Sequence, residues 1–305
     1  RYHLLIFFAF SACSWGFYAH KIINKHAVFL LPPELSTFFL FHIHQIEKRS
    51  VYADKRRYID PKEACKHYID LDLYGDDPFI MLPKSWYDAK DKYSEDTLLN
   101  RGILPWVIYW EYINLVEAMD SGTIQDVIRH ASDLGHYVAD ACVPLHTTSN
   151  YDGQHTKQDG IHSLWETKIP ESIEKEEFFI AKSQYLDQPL EFSWNLIQES
   201  FFLVDSTLRL EKELTDSYRE DGKYIAVSNN GIIQRQYTQN FIKDYNSILD
   251  RMVDRRMNRS IFAIASFWYT AWIESGQPDL MKLPSAVQIN LDSIKTKIIP
   301  QRIHE

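Results

Sequence analysis

Glycine and proline are scarce in this chain of 305 residues, at 10 and 12. Sheet-rich folds need both at their many tight turns, so the shortage argues against an all-β architecture. Cysteine is scarcer still, at three. If Cys13 leaves with an N-terminal leader, Cys65 and Cys142 remain, too few to demand a disulfide framework, and buried free thiols are expected. Positive charge is also in deficit, 33 Lys and Arg against 42 Asp and Glu, giving a formal net charge of -9 and a pI near 5.7. That balance argues against a broad basic nucleic-acid footprint but leaves room for a local anion site. Long hydrophobic runs are missing too, since no apolar stretch reaches the length needed to span a bilayer.

What is present is an ordinary globular composition, 45% hydrophobic and 25% charged, patterned with helical rather than alternating periodicity. The expected fold class is all-α, a single multi-helix domain over residues 15–280, with 281–305 as a C-terminal tail and 1–14 as a secretory signal peptide with an incomplete start. Arg1, the apolar run Leu4 to Phe10 and the small residues Ala12 and Ser14 predict cleavage after Ser14 and export to the periplasm or the outside. Acylation at Cys13 is the alternative. Helices are expected over 17–31, from the proline pair at 32–33, from Ser94 to Gly122 with a kink at Pro105, from Thr123 to about Ala141, and over 161–170, 189–215 and 231–275. Residues 51–94 read as loop with short helices. The aromatic cluster Trp106, Tyr109, Trp110 and Tyr112 reads as core, and "DRRMNR" (254–259) as a solvated helix face.

Chemistry concentrates in "HYVADACVPLH", residues 136–146. On a helix His136 and Asp140 lie about one turn apart on one face and can chelate one ion. Pro144 then ends the helix, so that His146 reaches a neighbouring position. "GIHSLWE" repeats the four-residue spacing with His162 and Glu166. A single such pair is usually a surface ion pair; two pairs within thirty residues, with a histidine between them, point to metal. Imidazole and carboxylate ligands without thiolate fit catalytic zinc, or another borderline divalent ion, better than a structural Cys-rich site.

"WGFYAH" (15–20), "YADKRR" (52–57), "KHYID" (66–70), "HYVADACVPLH" and "IHSLWE" follow one another in an order that resembles the superfamily uniting zinc-dependent phospholipase C with the single-strand-specific zinc nucleases. The resemblance covers residues 15–170, and beyond it only the helical character agrees. It implies a trinuclear zinc site at the base of a cleft. One Zn²⁺ would be held by Asp54, His67, His136 and Asp140, and a second by His146, His162 and Glu166. The third would take the amino group and carbonyl of Trp15, His20 and the other oxygen of Asp140. A free Trp15 amine requires removal of the leader, which ties export to completion of the site.

The reaction implied is hydrolysis of a phosphodiester by a zinc-bridging hydroxide attacking in line, with Asp54 and Asp140 holding the ions and Arg57 on the phosphate. Tyr68 would stack a base and Asp70 read its edge, as in the nucleases, whereas Glu166 as the last ligand resembles the phospholipases. The "NYDGQ" stretch (150–154) only loosely resembles the nucleases' glycine-rich segment. The substrate is thus expected to be a phospholipid head group or single-stranded nucleic acid, with no obligate protein partner. The competing class is a non-catalytic exported zinc-binding module that keeps the site for stability.

Overall fold

Start and stop signals in the sequence place most of the helices of the computed structural model, which describes residues 16–173, 181–218, 220–229 and 232–285. The expected leader, Trp15 and most of the expected C-terminal tail lie outside the described residues. The first helix, α1 (Phe17–Ala27), ends in a 3-10 turn, and Pro32 and Pro33 start α2 (Pro33–Phe41). A break at His42 separates α2 from α3 (Ile43–Arg49), leaving His42 buried and the side chain of His44 92% exposed. Short helices follow, α4 (Tyr52–Arg56), α5 (Pro78–Met81) and α6 (Trp86–Tyr93), linked by 3-10 turns and loops.

The long helix expected from Ser94 to Gly122 is two helices, α7 (Glu95–Arg101) and α8 (Leu104–Ser121), and Pro105 opens the second instead of kinking one. The division falls at Gly102, whose φ of +86° suits glycine, and a Cβ there would lie 2.1 Å from the carbonyl oxygen of Tyr68. The break serves the site. The amides of Ile103 and Leu104 donate to the carbonyls of Cys65 and Tyr68, and that of Asp70 donates to Arg101, so the segment carrying His67 is stitched to the α7–α8 junction.

The central helix is α9 (Ile124–Asp140), opened by a capping box between Thr123 and Asp126. Helices α1, α3, α8 and α16 (Met252–Glu274) pack around it. From Ala131 to Asp140 every residue of α9 is buried, so its last turns lie within the core with no solvent face, and that is where its metal-ligand types sit. Gly135 lets α1 approach closely, because a Cβ at that position would meet Oδ1 of Asn24 at 1.9 Å. Asn24 in turn donates to the carbonyl of His20.

After α9 come α10 (Ile161–Ser163), which runs through a π turn (Leu164–Lys168) into α11 (Ile169–Ser172). The expected helix over 189–215 is broken at Phe202 and Leu203 into α12 (Pro189–Phe201) and α13 (Val204–Ser217). The short α14 (Glu220–Lys223) leads into β1 (Tyr224–Asn229), which pairs antiparallel with β2 (Ile232–Tyr237), Tyr224 opposite Tyr237. This hairpin corrects the expectation of helix from 231. Only α15 (Gln239–Ile248), capped by Thr238, and α16 (Met252–Glu274) are helical there. The hairpin aside, the described residues are helices and loops. Trp106 and Tyr112 are core as expected, and Trp110 is half-exposed. Of the expected tail, residues 281–285 are described, and the carbonyl of Pro284 accepts from the amide of Ile124 at the start of α9. Cys65 and Cys142 are free thiols. Among the described residues no helix is long and apolar enough to cross a membrane.

Candidate metal centre

The deep end of α9 collects side chains from three other segments. Asp140 is fully buried, and around it lie His20 from α1, with Nε2 3.3 Å from Oδ1, and His67, with Nδ1 2.9 Å from Oδ2. His136, one turn back on α9, places Nε2 3.3 Å from the same Oδ2. Asp54, from α4, lies with Oδ1 3.7 Å from His136 Nε2 and 3.9 Å from His67 Nδ1. Two sets therefore converge closely enough to hold a metal ion, His20 with His136 and Asp140, and Asp54 with His67 and His136. They share His136, whose ring stacks on that of His20 at 4.0 Å between centroids.

A third set forms where the chain leaves α9. Pro144 opens a 3-10 turn (Pro144–Thr147) that delivers His146, and the π turn delivers Glu166. His146 Nε2 stands 3.4 Å from Glu166 Oε2, and His162 Nε2 stands 2.9 Å from Oε1. Sequence spacing predicted a plain helical pair at 162 and 166. The wider π turn keeps both residues on one side while its backbone departs from α geometry, as such turns often do at functional sites. The amide of Gly16, at the start of α1, donates to the carbonyl of Glu166, which brings α1 to this third set. Eight of the nine predicted ligand residues thus come together, and the ninth, Trp15, lies outside the described residues.

Hydrogen bonds fix the orientation of three of these rings. Nδ1 of His136 meets the carbonyl of Ser50, Nδ1 of His146 the carbonyl of His67, and Nδ1 of His162 the carbonyl of Tyr151. A carbonyl only accepts, so each Nδ1 carries the proton, and in the neutral ring Nε2 presents a lone pair. These lone pairs face carboxylates. Both oxygens of Asp54, both of Glu166 and Nε2 of His146 are buried without a hydrogen-bond partner. Buried acceptors turned toward one another are costly, and a divalent cation among them turns that cost into coordination. The donor set, oxygen and imidazole nitrogen without sulfur, matches borderline and hard divalent ions. The residues present therefore fit a metal.

The electrostatics show the same tension. Burial, aided by the neighbouring His136, lowers the His20 pKa to about 4. Burial pushes Glu166 up to about 8 against the opposing pull of His146. At His136 burial works against the charge, but Asp140 and Asp54 outweigh it and lift the pKa to about 9. Burial opposes ionisation of Asp140 as well, and the surrounding histidines overcome it to hold the carboxyl far below its ordinary range.

The residues predicted beyond the ligands occupy the adjoining surface. Arg57 reaches Asp54, with Nη1 3.7 Å from Oδ1, and is partly exposed. Tyr68 is half-buried with its hydroxyl 3.5 Å from the carbonyl of Asn100, and burial, with Asp70 nearby, pushes its pKa to about 12. Asp70 is also half-buried, and burial together with Asp72 raises it to about 7 against the pull of Arg101.

Sequence reasoning missed two groups of residues. One is Glu63, buried at 1% exposure, with Arg56, Tyr137 and Asp133 around it. Its four-residue offset from His67 was a legible signal, but Tyr137, whose hydroxyl donates to it, lies 74 residues away. The other is Arg256 from "DRRMNR", expected on a solvated face. It is buried, and its guanidinium donates to the carbonyls of Cys142 and Leu196, to Ser200 and to Glu199. Ser200 in turn donates to the carbonyl of Ala141. Arg256 thus grips the turn between the ligands of α9 and His146, and Arg259 on the same helix also bonds to Glu199. No model of a protein family matches the chain, and no curated protein matches it.

Proposed function

We propose that the chain is an exported zinc-dependent phosphodiester hydrolase of the kind that includes zinc phospholipase C and the single-strand zinc nucleases. It would hold three Zn²⁺ through Asp54, His67, His136 and Asp140; through His146, His162 and Glu166; and through His20 and Asp140 with the amine and carbonyl of Trp15. The observation that carries the reading is the convergence of eight predicted ligand residues into three buried carboxylate–imidazole sets. Bound divalent cations supply Lewis acidity, neutralising phosphate charge and lowering the pKa of water to about 7.

The chain's own residues do the rest. Asp54 and Asp140 would hold the ions, and the carbonyls that fix the rings of His136, His146 and His162 keep their Nε2 lone pairs aimed without reorganisation. Arg57, beside Asp54 and partly open to solvent, offers a guanidinium fork to the non-bridging phosphate oxygens. Tyr68, half-buried next to His67, gives a flat surface on which a base or a head group can rest. The pocket is locally cationic when loaded, so an acidic protein still attracts an anionic substrate.

The test is hydrolysis of bis(4-nitrophenyl) phosphate by the chain beginning at Trp15. Activity that a chelator abolishes and zinc restores is expected. Reversible zinc uptake without hydrolysis would instead favour a non-catalytic zinc-binding module. Parallel assays on phosphatidylcholine and single-stranded DNA assign the substrate. A form that retains Ser14 is expected to bind less zinc and turn over more slowly.

A further inference from the structure

We propose that Glu63 is a positioning residue that fixes which face the His67 ring turns to the metal set. The inference rests on reading Asp54, His67 and His136 as a metal centre, and is independent of the reaction assigned to it.

Main-chain carbonyls hold the rings of His136, His146 and His162. His67 is held differently. Its Nδ1 points into the set, 2.9 Å from Asp140 Oδ2 and 3.1 Å from His136 Nε2. Its Nε2 is turned to Oε1 of Glu63 at 3.7 Å and has no hydrogen-bond partner among the described residues. Glu63 is therefore the acceptor that this buried nitrogen faces.

The surroundings of Glu63 keep it there as an anion. Arg56 Nη2 lies 3.2 Å from Oε1, the Tyr137 hydroxyl donates to the same oxygen, and Lys66 Nζ lies 2.8 Å from Oε2. Arg56 is held in turn by Asp133 at 3.1 Å. Arg56 already has a carboxylate partner in Asp133, so its charge does not require a second acid in the core, and burying one is costly. What the second acid adds is a charged acceptor on the far side of His67. Such an acceptor selects the tautomer with the proton on Nε2 and the lone pair on Nδ1, orients the ring and makes it a more basic ligand.

The experiment uses the full chain, stripped of metal and titrated with zinc against a chromogenic chelator. Asp54→Ala and Glu166→Ala identify which binding step belongs to which set. In Glu63→Gln the step that depends on Asp54 is expected to weaken about 10- to 100-fold, while the step that depends on Glu166 is unchanged. Tyr137→Phe, which removes one hydroxyl and should fold even if Glu63→Gln does not, is expected to weaken the same step less. Imidazole ¹H and ¹⁵N shifts of His67 in the zinc-loaded protein report the Nε2–H that faces Glu63, downfield and slow to exchange in the unaltered chain and faster to exchange in Glu63→Gln. Unaltered affinity at the Asp54 step together with an unaltered Nε2–H signal would overturn the proposal. So would equal weakening of both steps, the mark of a loosened fold. An unaltered chain that takes up no zinc at all would instead overturn the metal reading on which it rests.

Discussion

The ligand sets around Asp140 and around Glu166 are made of the same two side-chain types and are built in opposite ways. Around Asp140, ligands come from α1, α4, the segment before Tyr68 and the buried end of α9, and none exceeds 4% exposure. Around Glu166 they come from a 3-10 turn, the three-residue α10 and a π turn, the His162 side chain is 14% exposed, and the neighbouring Tyr151 is 45% exposed. The first set is a charge node walled by helices, where every ligand position is determined by core packing. The second lies on irregular backbone at the edge, where main-chain carbonyls orient both histidines, as one orients His136 in the first. On the proposed function this division assigns tight retention of cations to the first set and access for a leaving group to the second.

The sharpest way to break that comparison is Asp140→Asn. Asp140 touches His20, His67 and His136 at once, so loss of its charge should empty the walled set and leave the edge set loaded. Phosphodiesterase activity is expected to fall by roughly 1,000-fold or more, and zinc content by mass spectrometry should drop without reaching zero. Complete loss of zinc would mean that the two sets are one cooperative unit.

Arg256→Met separates them from the other side. Arg256 fastens the carbonyl of Cys142, between Asp140 and His146, and pairs with Glu199. Removing a buried cation of this kind costs about 3 kcal/mol, visible as a lower Tm. Zinc affinity is expected to suffer more at the Glu166 set, because the turn that delivers His146 loses its clamp. A loss confined to the Asp140 set would show that the turn is held by other contacts.

The difference between the sets also explains what was legible beforehand. His136 with Asp140 and His162 with Glu166 announce themselves, because helical spacing converts sequence distance directly into a shared face. Glu63 and Arg256 do not, because their meaning lies in partners brought together by tertiary packing, Tyr137 for one and the end of α9 for the other. The all-α class follows from periodicity, yet breaks at His42, Gly102 and Phe202 divide segments that periodicity alone joins. Gly102 is the instructive case, since a positive φ and the approach of Tyr68 together make a glycine necessary there, and neither is visible in the periodicity. The hairpin at 224–237 was in principle readable. Its "SNNGII" carries an Asn-Gly pair between runs containing β-branched residues, but the helical pattern downstream masked it.

Tyr68→Ala sharpens the comparison beside His67. If nucleic acid is the substrate, loss of one stacked base costs about 1–3 kcal/mol, roughly a ten- to hundredfold loss in cleavage of single-stranded DNA. Hydrolysis of bis(4-nitrophenyl) phosphate should be nearly unchanged. Equal losses on both substrates would give Tyr68 a structural role.

The smallest effect belongs to Asp70, three residues beyond His67, and it is a matter of pH. Burial, reinforced by Asp72, raises its folded pKa to about 7 from an ordinary value of 3.8, with Arg101 opposing. A carboxyl raised in this way binds more protons in the folded than in the unfolded chain between those two values, so its contribution to stability is fully present below the unfolded pKa and is lost as pH rises through about 7. Asp70→Asn cannot ionise and escapes that loss. The variant and the unaltered chain should therefore melt together near pH 4, within the effect of the substitution itself. By pH 8 the variant should be more stable by about 1 kcal/mol, the shift being discounted because the side chain is partly exposed and screened. Thermal melts of metal-free protein across this range measure the gap. A gap that stays constant with pH would mean that Asp70 is solvated well enough to ionise normally, and the surface beyond His67 would then be wetter than its burial implies.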